Sequence, residues 1–406
     1  MALNPMKTTT SGLSVGQVTY YFKTMLKFST PKLVHAQFAM KSSAPKNSGK
    51  VVQFRRWIQL DTVTTPLTEA TVPDGQSISE EEVTATVYQY GGYAATSDLL
   101  DLTHLDAKLT HMSMLMGDQG GRSIDEVVRD VMAATTNVQY ANSKTSIYTL
   151  LTTDEFNVTE VRKGVRTLEA TNTPYFTKGG DEHFVAIVDP YTKYDLQSDT
   201  LWQDVSKYSD KEQIYSGEIG RLFGVRFVQT TQAKTYANSN LIAGQKYLTT
   251  ASIAGAIVTV DEAITSDEAT ALVGRYVNVI DATDGTTYER QLIESAAAGA
   301  AGAATVTLDA AVAGFTQADG DVMWANEYGW NGNTVRATMM FGMNAYGIID
   351  IGGNSKNMRI IIKNANEGGP SNPLEQFSTV GWKVTAMACT ILENDFILKI
   401  LSGATA

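Results

Sequence analysis

The chain has one cysteine in 406 residues, Cys389, so no intramolecular disulfide can form. That usage fits synthesis in a reducing cytoplasm, and Cys389 reads as a small core residue rather than a reactive thiol. No stretch approaches the roughly 18 apolar residues needed to cross a bilayer. The opening MALNPMKTTTSG lacks the basic-then-apolar pattern of a signal peptide. No membrane partner is expected. Histidine is also scarce: His35, His104, His111 and His183 are the full set. His104 and His111 stand about two helical turns apart, too far to share one metal without outside ligands. HExxH, CxxC and GxSxG patterns are absent. The run GEIGRLFG lacks the spacing of a dinucleotide loop, and no Walker lysine follows a glycine run. Carboxylates gather at Glu80, Glu81 and Glu82, at Asp181 and Glu182, and at Asp281 and Asp284. They read as a solvated loop tip, a turn before a strand and a hairpin turn, rather than as acid–base pairs. DATDG lacks the alternating ligands and closing Glu of a helical calcium loop. The expectation is no catalytic residue, no cofactor and no metal.

Negative charge is missing from one end. Residues 1–60 hold nine Lys or Arg, including Lys7, Lys23, Lys27 and Lys32, and no Asp or Glu. The remaining residues hold 23 basic and 43 acidic groups, a balance of −20 against −11 for the whole chain. Such asymmetry marks an arm that meets a negative surface. Nucleic acid and the acidic bodies of neighbouring copies are candidate surfaces, and a solvated basic tail with no partner is the plain alternative. Tyr20, Tyr21, Phe22, Phe28 and Phe38 lie among the lysines and favour a protein contact over free phosphate binding.

What stands out is a long paired excursion over residues 51–98. VVQFRRWIQL leads out, a turn-rich tip spans residues 61–82, and VTATVYQYGGYAATSD returns. Ordinary hairpin loops are roughly 2–5 residues long, so this tip is built to reach. Alternation puts Gln53, Arg55 and Trp57 on one face of the outgoing strand, with Phe54, Arg56 and Ile58 on the other. Neither strand has a fully apolar face, which suits an arm partly wet and partly covered by a neighbour. Inter-subunit contacts are expected from Arg55, Arg56, Trp57, Glu80, Glu81, Glu82, Tyr88 and Tyr90. Partners expected for the two arginines are Glu80–82, or Asp125, Glu126 and Asp130.

Leu105, Leu109, Met112, Met116, Ile124, Val127 and Val131 follow helical spacing. Gly117, Gly120 and Gly121 interrupt the stripe, each costing about 1 kcal/mol relative to Ala. Either the helix breaks there or another segment approaches closely. A second helix is predicted over 154–170, capped by Thr153 or Asp154. HFVAIVDP reads as a buried strand ending at Pro190, YTKYDLQSD as the start of a helix, and GEIGRLFGVRFVQT as a glycine turn and strand. The alternation predicts a central α/β domain. Residues 235–330 differ: β-type runs, Asp284-Gly285 as a hairpin signal, and an Ala/Gly linker SAAAGAAGAAT. They predict an inserted small β-domain, a barrel or a sandwich. Residues 354–401 predict long extended runs beside the first helix.

TPLTEATVPDG, VTATVYQYGGYAATSDLLDLT, GRSIDEVVRDVM, TVRATMMFGMNAYGIIDIGG and NPLEQFSTVGWKVTAMACTILEND stand in this order along the chain. Together they resemble the major capsid proteins of tailed bacteriophages, in particular the podovirus-type coat protein branch. The resemblance implies an α+β fold shared with herpesvirus capsid floors. It has an N-terminal arm (1–49), an extended β-hairpin loop (50–98), a peripheral domain with a long spine helix (99–150 and 354–406) and an axial α/β domain (151–234 and 331–353). Residues 235–330 form the added β-domain. The spine helix is implied over about 106–135. The implied function is self-assembly as hexamers and pentamers into an icosahedral virion shell around double-stranded DNA. Scaffolding, portal and decoration proteins are implied partners, and assembly is implied in the host bacterial cytoplasm. The competing reading, a phage tail or surface adhesin, draws on the β-rich insert but does not predict a spine helix followed by an α/β core.

Overall fold

A computed structural model describes residues 34–45, 49–67, 69, 72, 74–99, 108–178, 180–202, 218–283, 285, 287–315, 320–351, 358–364, 374 and 376–404. They fall into two compact units.

The first unit draws on residues 1–136, 173–176 and 341–397. Its centre is the helix Lys108–Ala133, which runs unbroken through all three glycines. Its closest-packed stripe is Ser113, Gly117, Gly120, Gly121, Asp125, Val128 and Met132. That is one residue round from the predicted stripe. The small residues make the close approach, and the larger Met112, Met116, Val127 and Val131 flank it half-buried. A Cβ on Gly120 would stand 2.9 Å from the Met358 sulfur and 3.1 Å from the Trp382 ring. The glycine is therefore a seat for the sheet rather than a break in the helix.

That sheet has five strands: Met40–Ala44, Tyr346–Ile351, Phe377–Ile391, Met358–Lys363 and Tyr88–Ser97. The long strand Phe377–Ile391 is its organiser, pairing antiparallel with three of the others. Trp382 faces the helix, where its indole N–H donates to Gln119 Oε1 at 3.1 Å. An aromatic group of Phe38, Phe176, Phe341 and Tyr346 packs edge to face, with centroids 5.5–6.0 Å apart.

The second unit draws on residues 137–172, 177–340 and 398–406. It contains an eight-stranded sheet with the path Val138–Tyr140, Ile397–Ser402, Val335–Phe341, Asp181–Val188, Val225–Gln229, Glu218–Leu222. Two sequence expectations shift here. The chain's last strand, Ile397–Ser402, was expected beside the long helix and pairs in this sheet instead. The run GEIGRLFG is more than a glycine turn, because Glu218–Leu222 is a strand hairpinned to Val225–Gln229. The central strands are buried on both faces, which is why HFVAIVDP reads as a continuous apolar run.

Helix Val158–Ala170 packs through Gly164, whose Cβ position lies 3.1–3.2 Å from Ile400, Leu398 and Met340 side-chain atoms. Its cap is Asn157, whose side chain accepts from Glu160 N at 3.1 Å, not Thr153 or Asp154. Asp154 is buried and serves the preceding loop, accepting from Leu151 N (2.9 Å) and Asn142 Nδ2 (2.8 Å). Helix Pro190–Ser198 starts at Asp189, whose carboxylate also receives Arg336 Nη1 at 2.6 Å. Burial raises that carboxyl above its ordinary range, and Arg336 pulls the other way.

Within this unit six strands close into a barrel: Tyr247–Ala254, Ile257–Val260, Ala304–Leu308, Tyr288–Ala297, Tyr276–Ile280 and Val322–Ala325. Closure removes free edges. Leu248, Val258, Val260, Val277, Val279, Ile293, Val306 and Met323 fill it and are fully buried. The Ala/Gly run is no linker. Ala296 and Ala297 pair with Val306 and Thr305, and Gly299 exchanges backbone bonds with Ile264. A Cβ on Gly299 would come within 2.7 Å of Ala304 N, so the tight return needs glycine. Helix Ser266–Leu272, which the sequence reading passed over, carries a capping box of Thr265 and Glu268.

Candidate assembly surface

The excursion is a two-stranded antiparallel hairpin, Val51–Trp57 with Glu80–Thr86. Its register sets Arg55 opposite Glu82, Arg56 opposite Glu81 and Trp57 opposite Glu80. Opposite charges facing across strands stabilise a pair by roughly 0.2–1 kcal/mol. Arg56 donates through Nε (2.8 Å) and Nη2 (2.5 Å) to Glu81 Oε2, and its Nη1 contacts Glu393. Gln53 Nε2 donates to Glu82 at 3.0 Å, and Arg55 stands 3.8 Å from Glu80. The arginines thus meet glutamates of their own hairpin. Asp125 is fully buried against His35, so it cannot receive Arg55 or Arg56 from another copy. Glu126 and Asp130 already hold Arg129 at 3.0 and 2.9 Å.

The base of the arm does have an apolar face. Ala85 and Val87 form a small buried cluster with Ile349 and Ala388, and Val52 and Phe54 pack on it. Gly347 makes room: a Cβ there would stand 3.3 Å from the Phe54 ring. Tyr90 sits half-buried near Tyr88 and Cys389, and burial raises its phenol pKa, with those two neighbours adding to the effect. Burial pushes the Cys389 thiol up to about 12, consistent with an inert packing residue. Tyr88 is 53% exposed, with the Lys50 ammonium 5.6 Å from its ring centre.

Beyond the base the character reverses. Trp57 is 68% exposed, and Ile58, Leu60, Val63, Leu67, Val72 and Ile78 are exposed as well. Exposed apolar groups concentrated in one segment mark an interaction site. Alternation in the sequence covered Trp57 and Ile58, but Val63, Leu67, Val72 and Ile78 of the tip lack periodicity and carried no such signal. Tyr88 and Trp57 remain available to a partner. Lys7, Lys23, Lys27 and Lys32 lie outside the described residues.

The barrel is electrostatically different. Residues 247–325 hold eleven Asp or Glu and two Arg, a net of −9 out of the chain's −11. Both arginines are engaged. Arg275 binds Glu327 at 2.5 Å and the carbonyls of Asn240 and Ser239, and Arg290 lies between the rings of Tyr148 (4.3 Å) and Tyr276 (3.8 Å). In the DATDG turn Asp281 accepts the backbone N–H of Thr283, and Asp321 from another strand end accepts that of Ala282; Asp284 lies outside the described residues. Among the described residues no group of three His, Cys, Asp or Glu is placed to hold a metal ion.

A helix laid on a long-stranded sheet, a projecting hairpin and a separate α/β unit make this the α+β fold of phage capsid subunits. The capsid protein of Ralstonia phage GP4 is similar over 93% of this chain and 92% of its own, with a TM-score of 0.56 at 10% identity. That of cyanophage Pam1 is similar over 88% and 86%, with a TM-score of 0.53 at 11% identity. The chain belongs to the phage capsid protein family, whose model matches residues 60–278. It is a structural protein of the capsid shell. No curated protein matches its sequence.

Proposed function

We propose that copies of this chain close an icosahedral shell around double-stranded DNA as hexamers and pentamers, each laying its arm over an adjacent subunit. The observation that carries this reading is the arm itself: anchored at its base by a small core, it exposes seven large apolar side chains from Trp57 to Ile78. Each arm contact is modest, but a closed lattice repeats it many times, and multivalency holds the shell. Trp57, Tyr88 and Tyr90 supply apolar contact, and the Arg–Glu ladder stiffens the strands that carry it. Removing residues 62–79 tests the reading. The expected result is a soluble, folded subunit that forms no closed shells under negative-stain microscopy, and normal shells would refute it.

Two charge features orient the subunit in this proposal. The basic segment 1–60 lies on the inner side, against neighbouring acidic bodies or DNA. The barrel, with net charge −9, faces away from the packaged polyanion, where like charge would repel it. Reversing Lys7, Lys23, Lys27 and Lys32 to Glu separates the inner contacts. Failure to assemble identifies a protein contact. Shells that form but hold DNA less stably, in a salt-dependent way, identify a DNA contact. Scaffolding, portal and decoration proteins complete the assembly in this reading, which takes place in the host cytoplasm. The adhesin alternative loses its basis, since the β-rich region it rested on sits between strands of a capsid fold.

A further inference from the structure

We propose that residues 34–44 form a strap, fastened to the long helix by His35 and Asp125, that opens as a unit while the helix and sheet beneath stay folded. One carboxylate does most of the fastening. The backbone N–H of His35 donates to Asp125 Oδ1 at 2.8 Å, and its ring Nδ1 lies 2.7 Å from Asp125 Oδ2. Both side chains are at most 1% exposed. A second tie comes from the sheet, where the Tyr346 hydroxyl donates to the His35 carbonyl oxygen. Phe38 then plugs the aromatic group of Phe176 and Phe341.

After the plug the hold weakens. Among the described residues Met40–Ala44 is an edge strand, paired in parallel with Tyr346–Ile351 alone. Met40 is 42% exposed and Lys41 and Ser43 are exposed too, so the strand buries little. Tyr346–Ile351 keeps its antiparallel partner Phe377–Ile391 whether or not the strap is present. Gly49, at φ +90° with open space around it, supplies a hinge before the arm begins. The fastened state also carries a cost. His35 Nε2 is buried with no hydrogen-bond partner among the described residues, and an unpaired buried polar atom favours the open state, where water can reach it. A buried clamp of two groups, an edge ladder and a hinge together describe an element drawn from the low-stability end of the molecule. Opening bares the aromatic socket and the free edge of Tyr346–Ile351, so the segment leading to the basic N-terminus becomes exchangeable without unfolding the body.

Amide hydrogen exchange on the unassembled full-length chain, read by mass spectrometry, tests this. In the unaltered protein, amides of 35–44 are expected to exchange together, at least about tenfold faster than those of 379–391. His35→Leu changes no residue of the helix or sheet and takes the ring nitrogen from Asp125 Oδ2; it is expected to speed the strap a further tenfold or so, with 112–132 and 379–391 unchanged. Tyr346→Phe, which removes one hydroxyl, should give a smaller increase confined to the same amides. Strap and sheet exchanging at one common rate in the unaltered chain would overturn the proposal, as would variants that speed all three regions in parallel or leave the strap rate unchanged.

Discussion

The arm and the barrel are both made of strands, and they solve the edge problem in opposite ways. The barrel closes on itself, pairs both edges of all six strands and buries eight large apolar side chains inside. The arm is two strands with an apolar cluster only at its base, and its outer part exposes Trp57 and six aliphatic side chains. An isolated hairpin is marginally stable in water. The difference teaches where each region finds its remaining stability. The barrel has it internally, and its acidic surface discourages contact with polyanions. In the proposed assembly the arm finds it on an adjacent subunit.

The sharpest way to break this comparison is to remove the arm's outer part. Deleting residues 62–79 is expected to abolish closed shells while moving the melting temperature of the unassembled subunit by no more than about 2 °C. A comparably large loss of subunit stability would mean that the arm is an internal element after all. Next in size is a hole in the barrel. Met323 is fully buried, and Met→Ala at such a site costs about 2–5 kcal/mol. Denaturant unfolding of Met323→Ala, followed by a barrel signal such as Trp324 fluorescence, should show that loss. Trp57→Ala is expected to change subunit stability by less than about 0.5 kcal/mol yet cut shell yield severalfold. Equal unfolding costs for the two substitutions would erase the distinction.

How much of this was legible beforehand depends on the kind of pattern involved. The outgoing arm strand, Asp181–Val188 and the Asp-Gly hairpin were readable because alternation, continuous apolar runs and turn chemistry are local signals. The returning run was not, since Glu80–Glu82 join the arm strand rather than the loop tip and Tyr88–Ser97 pairs in the five-stranded sheet instead. The closed barrel was legible only as a barrel or a sandwich, since closure is a matter of which strands pair at a distance. The long helix was readable in extent but rotated by one residue, because apolar spacing weights Met112 and Met116 while the closest approach belongs to Ser113, Gly117 and Gly120. Asp125 shows the same limit. Its carboxylate looked like an exposed partner for an arginine, and only the fold brings His35, ninety positions away, against it. Asn157 displaced Asp154 as the cap because Asp154 is taken by Asn142 and Leu151. Within the arm, pairing of Arg55 and Arg56 with Glu80–82 was foreseen, although between subunits rather than within one hairpin.

The smallest expected effect lies in that ladder, and it sharpens the comparison most finely. Arg56 makes two hydrogen bonds to Glu81 and also contacts Glu393, which lies just beyond the long strand. Arg55 is 67% exposed and stands 3.8 Å from Glu80. Solvent screens the Arg55 pair almost fully, and the side-chain entropy of holding it offsets what attraction remains. A double-mutant cycle of Arg55→Ala and Glu80→Ala should therefore return a coupling near zero, under about 0.3 kcal/mol. The cycle for Arg56 and Glu81 should return about 0.5–1 kcal/mol, because the guanidinium is held by two acids and is less exposed. Both values should fall as salt rises. If the Arg55 cycle measured in the unassembled subunit equals that of Arg56, the ladder stiffens the arm evenly along its length. If, as expected, only Arg56 couples, the charge ladder holds at a single rung near the outer end of the paired strands, and the exposed apolar residues beyond it are left free to adapt to a partner surface in the proposed assembly.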